Sequence, residues 1–101
     1  QLQMAMLFSI LLDYALFAFI INFIREIAKE CLLRNASNLI IAHNHPSGSL
    51  KPSQEDIGLT IVLHEALQLI EVNLLDHCIV TKRGASSFLE LKIMPFKDSK
   101  H

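Results

Sequence analysis

One passage of this chain constrains its fold more than any other, because it joins an apolar run, two histidines and an acidic helix start. The run at residues 38–42 contains Leu-Ile-Ile, which is typical of a buried central strand. It continues into His43-Asn44-His45-Pro46-Ser47-Gly48, whose proline and glycine predict a loop. Ser53 then precedes Glu55 and Asp56, in the order typical of a helix N-cap and its acidic first turn. The passage predicts a strand, a loop and a helix in succession.

A helical pattern precedes this passage. Apolar residues recur at positions 24, 27, 28, 31 and 32, which predicts an amphipathic helix from residue 24 to about residue 35. Glu30 and Arg34 have the spacing of an ion pair on its outer side, and Asn35 is suited to its C-terminal end.

The rest of the chain supplies a second helix and two more strands. The helix after Ser53 is predicted to reach about residue 69, with a buried stripe formed by Leu59, Val62, Leu63, Ala66 and Ile70. Residues 74–81 and 86–93 are predicted strands joined by a turn at residues 82–85, and residues 96–101 are predicted to fray. The order helix, strand, helix, strand, strand predicts an α/β fold around a mixed sheet.

Composition narrows the class of protein. The chain has 101 residues, of which 51% are hydrophobic and 19% charged, which predicts one ordered domain with a single core. Its net charge of -1 comes without a cluster of Lys and Arg, so there is no strong nucleic-acid signal. Cys31 and Cys78 lie in apolar runs, which favours free thiols over a disulfide and is compatible with a cytoplasmic protein.

The N-terminal segment at residues 4–21 is almost wholly apolar, broken by Ser9, Asp13 and Tyr14. Its length is near that of a membrane span, but Asp13 near its centre costs about 2.5–3.5 kcal/mol on insertion. Hydropathy alone leaves a membrane span, a buried helix and buried strands open. Its Leu, Met, Ala and Phe content favours a helix, and membrane association through residues 4–21 is not the favoured interpretation.

The two histidines and the carboxylate have the chemistry of a metal site. Side chains alternate along a strand, so His43 and His45 project to the same side, and Asp56 adds an anionic oxygen from the next helix. Two imidazoles and one carboxylate leave a position open for water, as in catalytic zinc sites. The same set also suits non-haem iron. Ser53, one helical turn before Asp56, is placed to donate a hydrogen bond to a developing oxyanion.

Simpler interpretations exist for the same residues. Ser53 and Asp56 are spaced as the two partners of a capping box, which starts many helices without any catalytic role. His43 and His45 taken alone are also compatible with a surface loop.

The motif resembles a known family. His43, His45, Pro46, Ser53 and Asp56 fit the pattern His-x-His-Pro, a spacer and Ser-x-x-Asp, which closely resembles the RadC-type branch of the JAMM/MPN metalloprotease superfamily. The resemblance extends over about residues 24–91. It includes Arg25-Glu26-Ile27 before the motif and the run Leu74-Leu75-Asp76-His77-Cys78-Ile79-Val80 after it.

The resemblance implies a fold and an activity. The fold is a cytidine-deaminase-like α/β three-layer sandwich, with a mixed sheet flanked by helices, in one domain over residues 1–101 whose family core is residues 24–93. A zinc ion would be bound by His43, His45 and Asp56, and Ser53 would steady a tetrahedral intermediate. The substrate would be a peptide or isopeptide amide bond of a peptide or protein.

The chain departs from the superfamily in its atypical segment at residues 1–23. The superfamily carries a general-base glutamate on an early strand, and the residues aligned there, 8–12, contain none. Asp13 is the only acid before Arg25. An alternative function is therefore a catalytically impaired interaction module, and a further one is the DNA-repair role that the family name implies. His77 is expected to have a structural or cleft-lining role.

Overall fold

The computed structural model describes residues 2–45 and 47–96, and side chains from residue 18 onward. Two helices and three strands follow one another as α1 (Leu2–Leu33), β1 (Asn38–Asn44), α2 (Gln54–Gln68), β2 (Asn73–Thr81) and β3 (Gly84–Ser87). This is the predicted order of elements, and the α/β class is confirmed.

The three strands form one mixed sheet in the order β1-β2-β3. β1 and β2 are parallel and are connected through α2, whereas β2 and β3 are antiparallel. The register between β1 and β2 shifts at Leu39/Ile40, so Leu75 is an extra residue on β2. Because side chains alternate along a strand, this bulge turns His77 to the side of the sheet that carries Ile41 and His43.

A hydrophobic core lies between the two helices and one face of the sheet. Its buried members come from α1, β1, α2, the turn before β2 and β2 itself: Ile24, Cys31, Ile41, Leu63, Leu67, Val72 and Leu74. The other face of the sheet exposes Ile40, which is 59% accessible. The core therefore holds β1 and the start of α2 in a fixed relation, and the candidate site lies where they meet.

The predicted stripe of α2 is partly wrong. Val62 is 45% exposed, while Leu63 and Leu67 are fully buried together with the polar Thr60. The face of α2 that meets the sheet begins at Asp56 and continues through Thr60, so two of its four buried positions are polar. A prediction that counts only hydrophobic residues omits Asp56 and Thr60 and therefore assigns the buried face to the wrong side of α2.

α1 is one continuous helix that includes the apolar N-terminal segment. Residues 8–12, which the resemblance aligns with an early strand, therefore lie within a helix. Glu30 and Arg34 form the predicted pair at 3.4 Å. The side chain of Asp13 lies outside the described side chains. Within the part of the chain that the structure describes, no helix has the length and hydropathy of a membrane span.

A left-handed residue follows the end of each helix. Asn35 has a φ of 51° and Glu71 a φ of 59°. In each case the next residue returns a hydrogen bond into the last turn, from Ala36 N to the Cys31 carbonyl and from Val72 N to the Leu67 carbonyl, both over 2.9 Å. Such closures satisfy carbonyls that the helix leaves free.

The prediction of a third strand over residues 86–93 is wrong after Ser87. Phe88 is buried, and the chain then forms a single turn in which Ile93 N donates to the Phe88 carbonyl over 3.0 Å, with Lys92 at a φ of 60°. The carboxylate of Asp76 accepts the N–H of Leu89 over 2.9 Å and the Ser87 hydroxyl. These contacts draw the chain out of the sheet. Residues 97–101 lie outside the described residues.

Replacing Glu71 by glycine is expected to raise the free energy of unfolding by about 0.5–1 kcal/mol. Glycine relieves the folded state of a left-handed backbone penalty of roughly 1–2 kcal/mol. It also stabilises the unfolded state by about 0.4–1 kcal/mol, because glycine has more backbone entropy there. Urea denaturation measures the change. Glu65→Gly is the matched control, because Glu65 lies exposed inside α2, where the same change should lower stability by about 1 kcal/mol. An unchanged or lower stability in Glu71→Gly would contradict the expectation.

Candidate metal centre

The structure brings His43, His45 and Asp56 together where β1 ends and α2 begins. Nε2 of His43 lies 3.0 Å from Oδ1 of Asp56, and Nε2 of His45 lies 3.0 Å from Oδ2 of the same carboxylate. One potential ligand atom from each residue falls within 4.8 Å of the others. The group could therefore hold a metal ion.

The strand and the helix each place their ligands by local geometry. His43 belongs to β1 and His45 follows its last residue, so alternation points both rings to the same side, with centroids 4.8 Å apart. Asp56 lies in the first turn of α2 and is buried, with its side chain turned back towards the two rings.

A capping box fixes the orientation of the Asp56 carboxylate. The N–H of Ser53 donates to Oδ2 over 2.7 Å, and the N–H of Asp56 donates to the Ser53 hydroxyl oxygen over 3.1 Å. Burial acts to raise the pKa of Asp56, but the hydrogen bonds from Ser53 and the nearby His43 and His45 together lower it below its usual range. The carboxylate is therefore ionised near neutral pH, as a metal ligand must be.

The chemistry of the donors fits a cation. Nδ1 of His45 lies 3.0 Å from the carbonyl oxygen of Ser49, which can only accept, so Nδ1 carries a hydrogen. In the neutral ring Nε2 then presents a lone pair to the lone pairs of the Asp56 carboxylate, 3.0 Å away. Two lone pairs at that distance repel each other unless a proton or a metal ion lies between them. The residues present therefore fit a metal.

His43 is supported from inside the protein by His77. Nδ1 of His43 lies 2.7 Å from Nε2 of His77, and Nδ1 of His77 lies 2.7 Å from the hydroxyl of Thr60. His77 is fully buried and stacks on Phe88 with ring centroids 4.5 Å apart. Burial, together with His43, lowers the pKa of His77 to about 4, so its ring is neutral near pH 7.

Thr60 was not among the predicted site residues. It lies one turn after Asp56 on the same face of α2, and its hydroxyl donates to the Asp56 carbonyl over 2.7 Å. A polar residue four positions after a ligand on a helix is a signal that could have been used. His77 was expected to be structural or cleft-lining, and it lies directly behind a candidate ligand.

Ser53 lies beside the ligand set in a half-buried position. Its oxygen caps α2, so the simpler capping interpretation is confirmed. The same side chain is also a hydrogen-bond partner of the Asp56 carboxylate, so it contacts a candidate ligand directly. The catalytic role assigned to Ser53 stays a prediction.

Among the described side chains, the metal-compatible group consists of His43, His45 and Asp56 and includes no glutamate. Cys31 is buried and Cys78 half-buried, and both are free thiols outside this group.

Comparison with known proteins places the same passage in a family. A family profile described as "RadC-like JAB domain" matches residues 18–93. A UPF0758 protein of Neisseria meningitidis serogroup C is 55% identical over 73 residues, which cover 72% of this chain and 32% of that protein. A UPF0758 protein of Neisseria gonorrhoeae has the same identity and coverage.

A UPF0758 protein of Burkholderia ambifaria is 58% identical over 64 residues, which cover 63% of this chain and 25% of that protein. The chain therefore spans between a quarter and a third of the length of these relatives.

Proposed function

This chain belongs to the RadC-like JAB domain family, and we propose on that basis that it is a zinc-dependent hydrolase of peptide or isopeptide amide bonds. The observation that carries the proposal is the convergence of two imidazole nitrogens on the two oxygens of one buried carboxylate, each over 3.0 Å. Two nitrogens and one carboxylate are the protein ligands of many hydrolytic zinc sites. The substrate is a peptide or protein, and the setting is the cytoplasm.

The residues of the candidate site would have two roles, metal binding and stabilisation of the oxyanion. His43, His45 and Asp56 would hold the metal, and Ser53 would donate its hydroxyl hydrogen to the oxygen that becomes negative when the amide carbonyl is attacked. A bound zinc ion would polarise that carbonyl and lower the pKa of a water molecule to about 7. The capping box links these roles, because Ser53 and Asp56 orient each other.

A second candidate is an interaction module that binds the metal without turnover. The observation that favours it is the helical conformation of residues 8–12, where the superfamily has the strand that carries its glutamate. Loss of a general base typically reduces a rate by about 10²–10⁴-fold. A DNA-repair role is the least supported, because the net charge is -1 and the sequence has no basic cluster.

The two candidates differ in chelator-sensitive turnover. The zinc-loaded chain is incubated with a panel of peptides and isopeptide-linked peptides, and cleavage is followed by mass spectrometry. Hydrolysis that stops with chelator and returns with added zinc is expected. The variant carrying His43→Ala and His45→Ala measures contaminating activity. Cleavage no faster than in that variant would overturn the proposed hydrolase activity and favour the interaction module.

Ser53→Gly is expected to lower turnover by about 100- to 1000-fold, the usual cost of losing one oxyanion donor. Glycine replaces serine at an N-cap at a cost of only a few tenths of a kcal/mol, so the helix should survive the change. Ser53→Thr is the matched control because it keeps the hydroxyl. Parallel rate and urea measurements separate the two roles of Ser53. Equal turnover in the glycine and threonine variants would mean that Ser53 only caps α2.

A further inference from the structure

The inner contacts of His43 form a buried chain of hydrogen bonds, which we call the Thr60–His77 relay. It extends from His43 Nδ1 to His77 Nε2, from His77 Nδ1 to the Thr60 hydroxyl, and from that hydroxyl to the Asp56 carbonyl, each over 2.7 Å. Thr60 and His77 are both fully buried. Water therefore has no access to replace either of their side chains as a partner.

The positions of the hydrogens in the relay follow from the atoms that can only accept. The Asp56 carbonyl has no hydrogen, so the single hydrogen of the Thr60 hydroxyl points to it. The Thr60 oxygen then offers a lone pair to His77, whose Nδ1 must carry a hydrogen. With that hydrogen on Nδ1, the fully buried ring of His77 accepts at Nε2, so His43 donates from Nδ1. The lone pair of His43 is left on Nε2, which faces Asp56.

We propose that His77, oriented by Thr60, is a positioning residue that holds His43 in the tautomer able to bind a metal ion. The relay keeps the hydrogen of His43 on Nδ1, as the Ser49 carbonyl keeps the hydrogen of His45 on Nδ1. The stack of His77 on Phe88 fixes the plane of the His77 ring, and with it the direction in which Nε2 meets His43. The inference rests on the proposed function only in treating His43, His45 and Asp56 as a metal site.

The alternative is that Thr60 and His77 simply fill space in the core. The two views differ in which change at residue 60 is tolerated. Thr60→Val keeps the shape and removes the hydroxyl, whereas Thr60→Ser keeps the hydroxyl and removes a buried methyl group. Packing alone therefore favours valine over serine for stability, and the relay favours serine over valine for metal binding.

Zinc affinity of the wild-type chain and of both variants is measured by competition with a chromophoric chelator. Thr60→Ser is expected to keep the wild-type affinity. Thr60→Val is expected to lose up to about 10- to 100-fold, the usual range for outer-shell changes, because His77 then no longer has the partner that orients it towards His43. Urea denaturation of the same samples reports their stability. A valine variant that binds zinc as tightly as the wild type would overturn the proposal.

A second measurement reads the tautomer itself without any metal. Long-range ¹⁵N–¹H correlation spectra of the metal-free chain report which ring nitrogen carries the hydrogen. The share of His43 rings that carry the hydrogen on Nδ1 is expected to be the same in the wild type and in Thr60→Ser, and to fall in Thr60→Val, because Nε2 can donate to the Asp56 carboxylate when the relay no longer opposes it. The same share in all three chains would overturn the proposal.

The two measurements separate this inference from the proposed function. Failure of the wild-type chain to bind zinc, together with the expected change of the His43 tautomer in Thr60→Val, would overturn the zinc site and leave the role of the relay standing. Tight zinc binding in all three chains with an unchanged tautomer would overturn the relay and leave the metal site.

Discussion

Replacing His43 and His45 together by alanine is expected to reduce bound zinc from about one ion per chain to the background level. The two rings supply the only nitrogens of the described ligand set, and their loss leaves the single carboxylate of Asp56. A single carboxylate does not retain zinc through dialysis. Equilibrium dialysis followed by elemental analysis of protein and zinc measures the stoichiometry.

His64→Ala is the matched control for that experiment. It also removes a histidine, but His64 lies on α2 and stacks on Phe96 with ring centroids 3.6 Å apart, outside the metal-compatible group. The control should keep about one zinc per chain. Circular dichroism of all three proteins checks that they are folded. Equal zinc in the double variant and the wild type would remove the basis of the proposed function.

The parts of the site that could be predicted are those set by neighbours in sequence. Alternation along a strand places His43 and His45 on the same side whatever surrounds them, and the spacing of Ser53 and Asp56 produces a capping box from one turn of helix. The family resemblance was carried by these residues and is confirmed.

The parts that could not be predicted depend on contacts between distant segments. His77 faces His43 because β2 has an extra residue at Leu75, and a bulge is set by the partner strand as much as by its own sequence. Thr60 meets His77 only after α2 has packed against the sheet. Residues 8–12 form the helix that their local composition favoured, and not the strand that the resemblance implied.

The end of β3 is the clearest case of tertiary control, and Asp76 is the residue responsible. Asp76 is buried, and its Oδ1 accepts the N–H of His77 over 2.8 Å and the N–H of Leu89 over 2.9 Å. Its Oδ2 accepts the Ser87 hydroxyl. One carboxylate on β2 thus ends β3 and anchors the turn that buries Phe88 against His77.

Asp76→Ala is therefore expected to lower the free energy of unfolding by about 3–4 kcal/mol, because it leaves buried donors without their charged acceptor. Asp76→Asn is the matched control. Its amide oxygen can accept both N–H groups at the position of Oδ1, and its NH₂ can donate to the Ser87 oxygen. Asp76→Asn should therefore lower the free energy of unfolding much less than Asp76→Ala does. Urea denaturation in the presence of chelator measures both without a contribution from bound metal.

The two variants also separate the charge of Asp76 from its geometry. Burial acts to raise the pKa of Asp76, but hydrogen bonds from Ser87, Leu89 and His77 lower it below its usual range. The unfolded chain therefore takes up this proton first as the pH falls below about 4, so the stabilisation from Asp76 is complete above that pH. It is lost as the pH falls through the folded-state pKa. Asp76→Asn should lose less stability than the wild type over this interval, because residue 76 no longer titrates. Parallel stability curves for the two proteins below pH 4 would mean that Asp76 acts as a neutral acceptor and that its charge does not hold the end of the sheet.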